Sequence, residues 1–299
     1  MIDAIVTVPP YAPYLRQVVN HPIVSGIRLN TVMPIQGKLE DTLKNLKSLG
    51  KDLWIDLKYR QLRVTGYWVP PFTEIELSHE IELDTTKPVT AYFSDGRQKA
   101  TILRQEKNKL FMQEGPRRVI GPGESLNIKD PSLKILGGLT ETDKEYLRVG
   151  KKLGIDTYML SYVEAQKDLY DVLTYHPQAI IAEKIESRKG LQYVDSGWKG
   201  QRLMAARGDL YVELERPHQI IGAMKDIIKQ DPKAIAASRI FPSLAYTLEP
   251  ACEDIGDVDS LMQMGYKTFM LGDDVAMKES SVMSALNLLE EMARSYERK

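Results

Sequence analysis

Lys184, Glu186 and Asp209 stand at the ends of two apolar runs, where their types suit an anionic ligand held around a divalent cation. In Glu183-Lys184-Ile185-Glu186 the two-residue period of a strand puts Lys184 and Glu186 on one face, opposite Ile185. In Ala205-Ala206-Arg207-Gly208-Asp209-Leu210, Asp209 offers a second carboxylate beside a glycine whose backbone N–H an anion can approach. Glu186 and Asp209 could together hold one Mg2+ (or Mn2+), which takes oxygen ligands and fills its shell with substrate oxygens and water. The same residues could instead form salt bridges with Lys184 and Arg207, and the two segments alone leave both readings open. Arg28 and Arg63 would add positive charge, as phosphoryl transfer requires, because its transition state spreads charge over equatorial oxygens. Arg60 reads as a side chain snorkelling at a domain junction.

These residues need a scaffold that gathers strand ends. Short apolar runs alternate with amphipathic stretches along the chain, predicting strands at 4–8, 26–31, 53–57, 157–163, 180–186, 202–206, 234–240 and 267–271. Helices are predicted over 39–49, 143–153, 165–173, 218–229 and 282–296, several closed by Gly50, Gly154 or Gly265, with Thr140 as an N-cap. The fold class is α/β, a (β/α)8 TIM barrel whose functional groups belong at the carboxyl ends of its strands. One segment breaks the rhythm, with alternation at Glu74-Ile75-Glu76-Leu77 and Glu80-Ile81-Glu82-Leu83 and turn signals at 94–96 and 121–123. It reads as a small all-β lid inserted after the third barrel strand, dividing the chain into barrel (1–66), insert (67–136) and barrel (137–299). An insert leaving the barrel there would hang over the mouth.

Composition narrows the function classes. The 299 residues carry 40 Lys+Arg against 41 Asp+Glu, a net charge of -1, so no global field favours nucleic acid or an anionic membrane. One cysteine, Cys252, excludes an internal disulfide framework and a Cys-based zinc site. No apolar run approaches a membrane span, and Asp3 sits where a secretory signal would carry bases, so a cytoplasmic protein is expected. The histidines, His21, His79, His176 and His218, fall away from predicted strand ends and read as structural or solvent-facing. Neither a Gly-x-x-x-x-Gly-Lys-Ser/Thr loop nor a Gly-x-Gly-x-x-Gly turn after a strand is present.

In chain order these segments resemble the pyruvate kinase family. Thr7-Val8-Pro9-Pro10 is similar to its Thr-Ile-Gly-Pro, Arg28-Leu29-Asn30 to Arg-Leu-Asn-Phe-Ser-His-Gly, and Asp56-Leu57-Lys58 with Arg63 to Asp-Thr-Lys-Gly-Pro-Glu-Ile-Arg. Leu139 to Lys144 resembles the Leu-Thr-Glu-Lys-Asp that ends the family's lid, and Ser161-Tyr162-Val163 resembles Ser-Phe-Val. Lys184-Ile185-Glu186 and Ala206-Arg207-Gly208-Asp209-Leu210 match residue for residue. Ala237-Ser238 stands where the family has Ala-Thr-Gln-Met-Leu, and Met270-Leu271 where it has Met-Leu-Ser-Gly-Glu.

The resemblance implies Mg2+-dependent phosphoryl transfer between phosphoenolpyruvate and a nucleoside diphosphate. Glu186 and Asp209 would ligate the ion, Lys184 would stabilise the enolate and the phosphoryl group, and Arg28 and Arg63 would hold phosphates. Backbone N–H groups around Ala206 and Gly208 would receive the substrate carboxylate, and Ser238 would keep the hydroxyl near the enolate face. The family's monovalent-cation site is reduced to Asn30 and Asp56, its other two ligands having become Val32 and Leu57, so K+ activation is not expected. Met33, Tyr59, Arg60, Tyr211, Arg239, Gly272 and Asp274 also depart from the family, mostly on the nucleotide side. Other enolate chemistry, as of a lyase, aldolase or hydrolase, or a non-catalytic binding module are the alternatives. Expected partners are a phosphoenolpyruvate- or pyruvate-like small molecule, a nucleotide and, in a homo-oligomer, further copies of the chain. The family's C-terminal domain has no counterpart before Lys299, so its sugar-phosphate regulation is not expected.

Overall fold

Both faces of the predicted strands are apolar, and a parallel sheet covered on both sides is the arrangement that buries them. The computed structural model describes residues 1–94 and 96–297; Asp95, the centre of the predicted 94–96 turn, and Arg298 and Lys299 lie outside the described residues. Among the described residues eight parallel strands close a barrel: β1 (Asp3–Thr7), β2 (Val24–Asn30), β3 (Asp52–Leu57), β11 (Thr157–Leu160), β12 (Ile180–Ile185), β13 (Arg202–Ala206), β14 (Ile235–Ala237) and β15 (Thr268–Leu271). They pair in chain order, and β15 returns to β1. Ile5, Trp54, Met159, Met204, Ile235 and Met270 pack among themselves as one buried cluster of strand residues, while larger clusters join the strands to the helices.

The helices are α1 (Leu15–Val19), α2 (Leu39–Lys47), α3 (Glu141–Leu153), α4 (Asp168–Tyr175), α5 (Arg188–Asp195), α6 (Arg207–Glu213), α7 (Gln219–Gln230), α8 (Cys252–Met264), α9 (Asp273–Ala276) and α10 (Glu279–Glu297). Among the described residues no helix is long and apolar enough to cross a membrane. Thr140 does cap α3, in a capping box with Asp143. The buried Asp143 carboxylate also accepts the backbone N–H groups of Lys58 (2.8 Å) and Tyr59 (3.1 Å), so the start of α3 fixes the chain where it leaves β3. Gly154 and Gly265 close α3 and α8 in the left-handed region, where a side chain would be strained. Gly50 instead lies beyond the end of α2, whose cap is Ser48.

Two predicted strands are shorter than expected for one reason. Tyr162 (φ 51°) ends the 157–163 run, and Ser238, Arg239 and Phe241 (φ 65°, 55° and 50°) end the 234–240 run, since left-handed residues cannot continue a strand.

The insert joins β4 (Glu74–Glu76), β6 (Val89–Phe93), β7 (Gln98–Glu106), β8 (Lys109–Met112) and β9 (Leu126–Ile128) in an antiparallel sheet ordered β4-β8-β7-β6-β9. β5 (Ile81–Glu82) and β10 (Lys134–Ile135) form a second, two-stranded sheet. The insert has its own core around Trp68, whose ring lies 5.1 Å from that of Phe93. Leu62 and Val64 join that core. The insert rests on the barrel through Arg97, paired with Asp274 at 2.7 Å, and through Lys129, whose ammonium donates to the Leu214 carbonyl.

Candidate functional site

At the carboxyl ends of the strands a buried network of charged side chains forms around Asp56. Its Oδ2 accepts from Arg28 Nε (3.0 Å) and Lys58 Nζ (2.8 Å) and from Arg28 Nη2, while Oδ1 faces Lys184 Nζ at 3.2 Å. Burial alone would raise the Asp56 carboxyl, but Arg28, Lys184 and Lys58 outweigh it and hold it well below the carboxylate range. Burial dominates at Lys58 and, with the neighbouring Arg63, Lys184 and Arg28, pushes it down to about 7 despite Asp56.

Lys184 Nζ also donates to Ser161 Oγ at 2.8 Å and lies 3.1 Å from Glu186 Oε1. Desolvation opposes its charge, yet Asp56 and Glu186 raise its pKa, so it stays an ammonium. Glu186 Oε2 accepts the Tyr162 N–H at 2.7 Å, a bond made available by the left-handed turn after β11. Burial pushes Glu186 up to about 7 against the pull of Lys184, and the Asp209 charge adds to the rise. Lys184 and Glu186 therefore meet, and Asp209 stands within electrostatic reach of both.

Asp209 is carried by the first turn of α6, the helix that begins directly where β13 ends. The alternative reading as salt bridges holds in part: Lys184 does pair with Glu186 at 3.1 Å, whereas Arg207 pairs with Asp257 and not with Asp209. Arg207 turns away, making two bonds of 2.8 Å to Asp257 and donating to the carbonyls of Ser238 (3.1 Å) and Arg239 (2.7 Å). It holds the left-handed turn that sets the position of half-buried Ser238. Ala206 and Gly208 are buried in the same turn of chain as Asp209.

Arg28 also donates to Thr7 Oγ1 (2.9 Å) and pairs with Asp273 (3.3 Å), whose carboxylate accepts Asn30 Nδ2 at 3.0 Å. The Arg63 guanidinium donates to the Gly123 carbonyl at 2.7 Å and to Gln61 Oε1, which ties it to the base of the insert. Tyr59 and Arg60 are engaged with the first turn of α4: Tyr59 Oη donates to Asp171 at 2.9 Å, and Arg60 pairs with Asp168 at 2.6 Å. The histidines stay outside the network; His176 packs against Tyr158 and Asp156, and His21 against Asn287 and Glu290.

Sequence reasoning passed over Gln61, Asn127 and Asp273. Gln61 Nε2 donates to Asp209 Oδ2 at 2.9 Å, and Asn127 Nδ2 to Asp209 Oδ1 at 3.1 Å. Asn127 left one trace in the sequence, as a single polar residue between Leu126 and Ile128 in a strand that is buried throughout.

Glu186 and Asp209 have the donor chemistry for a hard divalent ion, and the raised pKa of Glu186 marks buried negative charge that such an ion would relieve. Among the described residues no group of three or more His, Cys, Asp or Glu could hold an ion. A cation bound by these two carboxylates would therefore take its remaining ligands from a bound small molecule and water.

Comparison with known proteins gives the chain a family. The family model for the pyruvate kinase barrel domain matches residues 75–284. Pyruvate kinase of Borreliella burgdorferi is 24% identical over 213 residues, covering 68% of this chain and 44% of that protein. Pyruvate kinase of Lactobacillus delbrueckii subsp. bulgaricus is 28% identical over 205 residues, 64% of this chain and 34% of its own. Pyruvate kinase 1 of Saccharomyces cerevisiae is 29% identical over 167 residues, 53% of this chain and 33% of its own. The chain thus spans less than half the length of these relatives.

Proposed function

Since the chain belongs to the pyruvate kinase barrel-domain family, we propose that it transfers a phosphoryl group between phosphoenolpyruvate and a nucleoside diphosphate, with Mg2+ and without K+. The observation that carries this reading is the contact of buried Lys184 with Glu186 at 3.1 Å, beside Asp209 and the Arg28–Asp56 pair. In the forward direction the bond from phosphorus to the enol oxygen breaks, a bond from phosphorus to a terminal oxygen of the diphosphate forms, and the enolate takes a proton at its methylene carbon. Lys184 holds its proton throughout and sets positive charge where the enolate oxygen and the phosphoryl oxygens develop negative charge. Arg28, fixed by Thr7 and Asp56, orients the phosphate. The first turn of α6 receives the carboxylate, and Ser238 stands at the enolate face where the proton arrives. Glu186 and Asp209 would hold the divalent cation, which when bound supplies charge neutralisation for the phosphate and carboxylate oxygens.

K+ independence follows from the way the remnants of a monovalent-cation site are spent. Asp56 already faces three cationic side chains, and the amide oxygen of Asn30 accepts the Val32 N–H at 3.3 Å. A further monovalent cation would meet repulsion and too few oxygen donors.

A coupled assay for pyruvate from phosphoenolpyruvate and ADP tests the reading. The rate is expected to require Mg2+ and to be the same in K+ and in tetramethylammonium. A requirement for K+ would overturn the proposed cation independence, and absence of pyruvate would overturn phosphoryl transfer. Pyruvate released without ADP would favour the second reading, enolate chemistry ending in hydrolysis. That reading has one specific support: Tyr59 and Arg60, at altered family positions on the nucleotide side, are paired with carboxylates of α4.

A further inference from the structure

We propose that Asn127 of the insert orients the Asp209 carboxylate for a divalent cation, so that seating of the insert and binding of the ion are coupled. The proposal rests on the reading of Glu186 and Asp209 as ion ligands. Each oxygen of Asp209 receives one amide donor, Asn127 Nδ2 on Oδ1 at 3.1 Å and Gln61 Nε2 on Oδ2 at 2.9 Å. A carboxylate oxygen has two acceptor positions, so one donor on each fixes the plane of the group and leaves an acceptor position on each oxygen for a metal. Ligating carboxylates are commonly held by a second layer of donors in this way, and metal affinity depends on it.

The origin of the two donors makes the arrangement conditional. Asn127 lies in β9 of the insert, and Gln61 lies in the segment that leads from β3 into the insert. Only with the insert seated can Asn127 reach Asp209. The same Nδ2 also donates to Tyr162 Oη and lies 3.3 Å from Glu213 Oε1, so one insert side chain joins the turn after β11 to both carboxylates of α6. Its Oδ1 is buried without a partner among the described residues, so the side chain is held through its donor end alone. An amide fits this place where a carboxylate would not, because a third negative charge would face Asp209 and Glu213. Coupling of this kind is reciprocal: if the seated insert strengthens ion binding, the ion strengthens seating by the same factor.

Calorimetric titration with Mn2+ and hydrogen exchange of the insert, on the full chain, test the coupling. Asn127→Leu is expected to weaken Mn2+ binding roughly 10–100-fold, the usual cost of losing such a donor. Asn127→Ser, which keeps a polar group in the strand but falls short of Asp209, should lose affinity in the same way and serves if the leucine variant does not fold. Asp274→Asn removes only the exposed pair with Arg97, too weak a contact to unseat an insert still held through Lys129 and Asn127, and should change affinity by less than about threefold. Mn2+ should slow exchange of the insert amides in the parent protein and leave them unchanged in Asn127→Leu. Equal Mn2+ affinity in the parent and both Asn127 variants would overturn the proposal, as would an equal loss in Asp274→Asn. Mn2+ binding that survives Glu186→Gln would instead remove the ion-site reading itself, and the proposal with it.

Discussion

Lys184→Met is expected to lower turnover of phosphoenolpyruvate by roughly 10²–10³-fold, the scale on which one positioned electrostatic donor acts in a water-excluded site. Lys184 is buried, stays charged and is the only cation placed against both Asp56 and Glu186 among the described residues. Lys58 cannot replace it, because its ammonium bonds the other oxygen of Asp56 and burial pushes its pKa down to about 7. The methionine keeps the unbranched stem, so the loss should fall on kcat while divalent-ion binding persists, Glu186 having lost its competing cation. Single-turnover measurement of pyruvate at saturating Mg2+ separates the two effects. Turnover unchanged by the substitution would remove Lys184 from the chemistry.

Asp56→Leu should have the largest effect on stability. Three cationic groups, Arg28, Lys58 and Lys184, share this fully buried carboxylate. Removing it leaves positive charges packed together with Asp273 and Glu186 as the remaining counter-charges, and breaking a buried ion pair from one side costs about 3–5 kcal/mol. Urea unfolding at neutral pH reads the loss directly. The double variant Asp56→Leu/Arg28→Met should recover part of it, since one of the stranded cations is gone, whereas Lys58, already pushed down to about 7 with Asp56 present, would shed its proton. A cost below about 1 kcal/mol, in the range of exposed pairs, would mean that the network does not hold the strand ends together.

The barrel was legible because each strand carries a short apolar run and several connections an amphipathic one, although the helices α1, α5 and α8 were not read, and the period alone places Lys184 beside Glu186. Strand ends were less legible. The turns at Tyr162 and Ser238–Phe241 are left-handed at residues other than glycine, a conformation that local propensity disfavours and long-range contacts impose. Arg207 imposes one of them from α6, an arrangement no local pattern announces. The resemblance marked Asp56 as a remnant of a cation site, but its role as the centre of three ion pairs depends on β2, β3 and β12 meeting in space. The roles of Gln61 and Asn127 could not be read for the same reason: their partner, Asp209, lies 148 and 82 residues away along the chain.

The most direct test is calorimetric titration of the protein with oxalate, a planar dianion that mimics the enolate of pyruvate, with and without Mg2+. Lys184, Glu186 and Asp209 acting together predict heat only when Mg2+ is present, and its loss in Glu186→Gln. Oxalate binding that is indifferent to Mg2+ or to Glu186 would contradict a shared ion and ligand site at the mouth of the barrel.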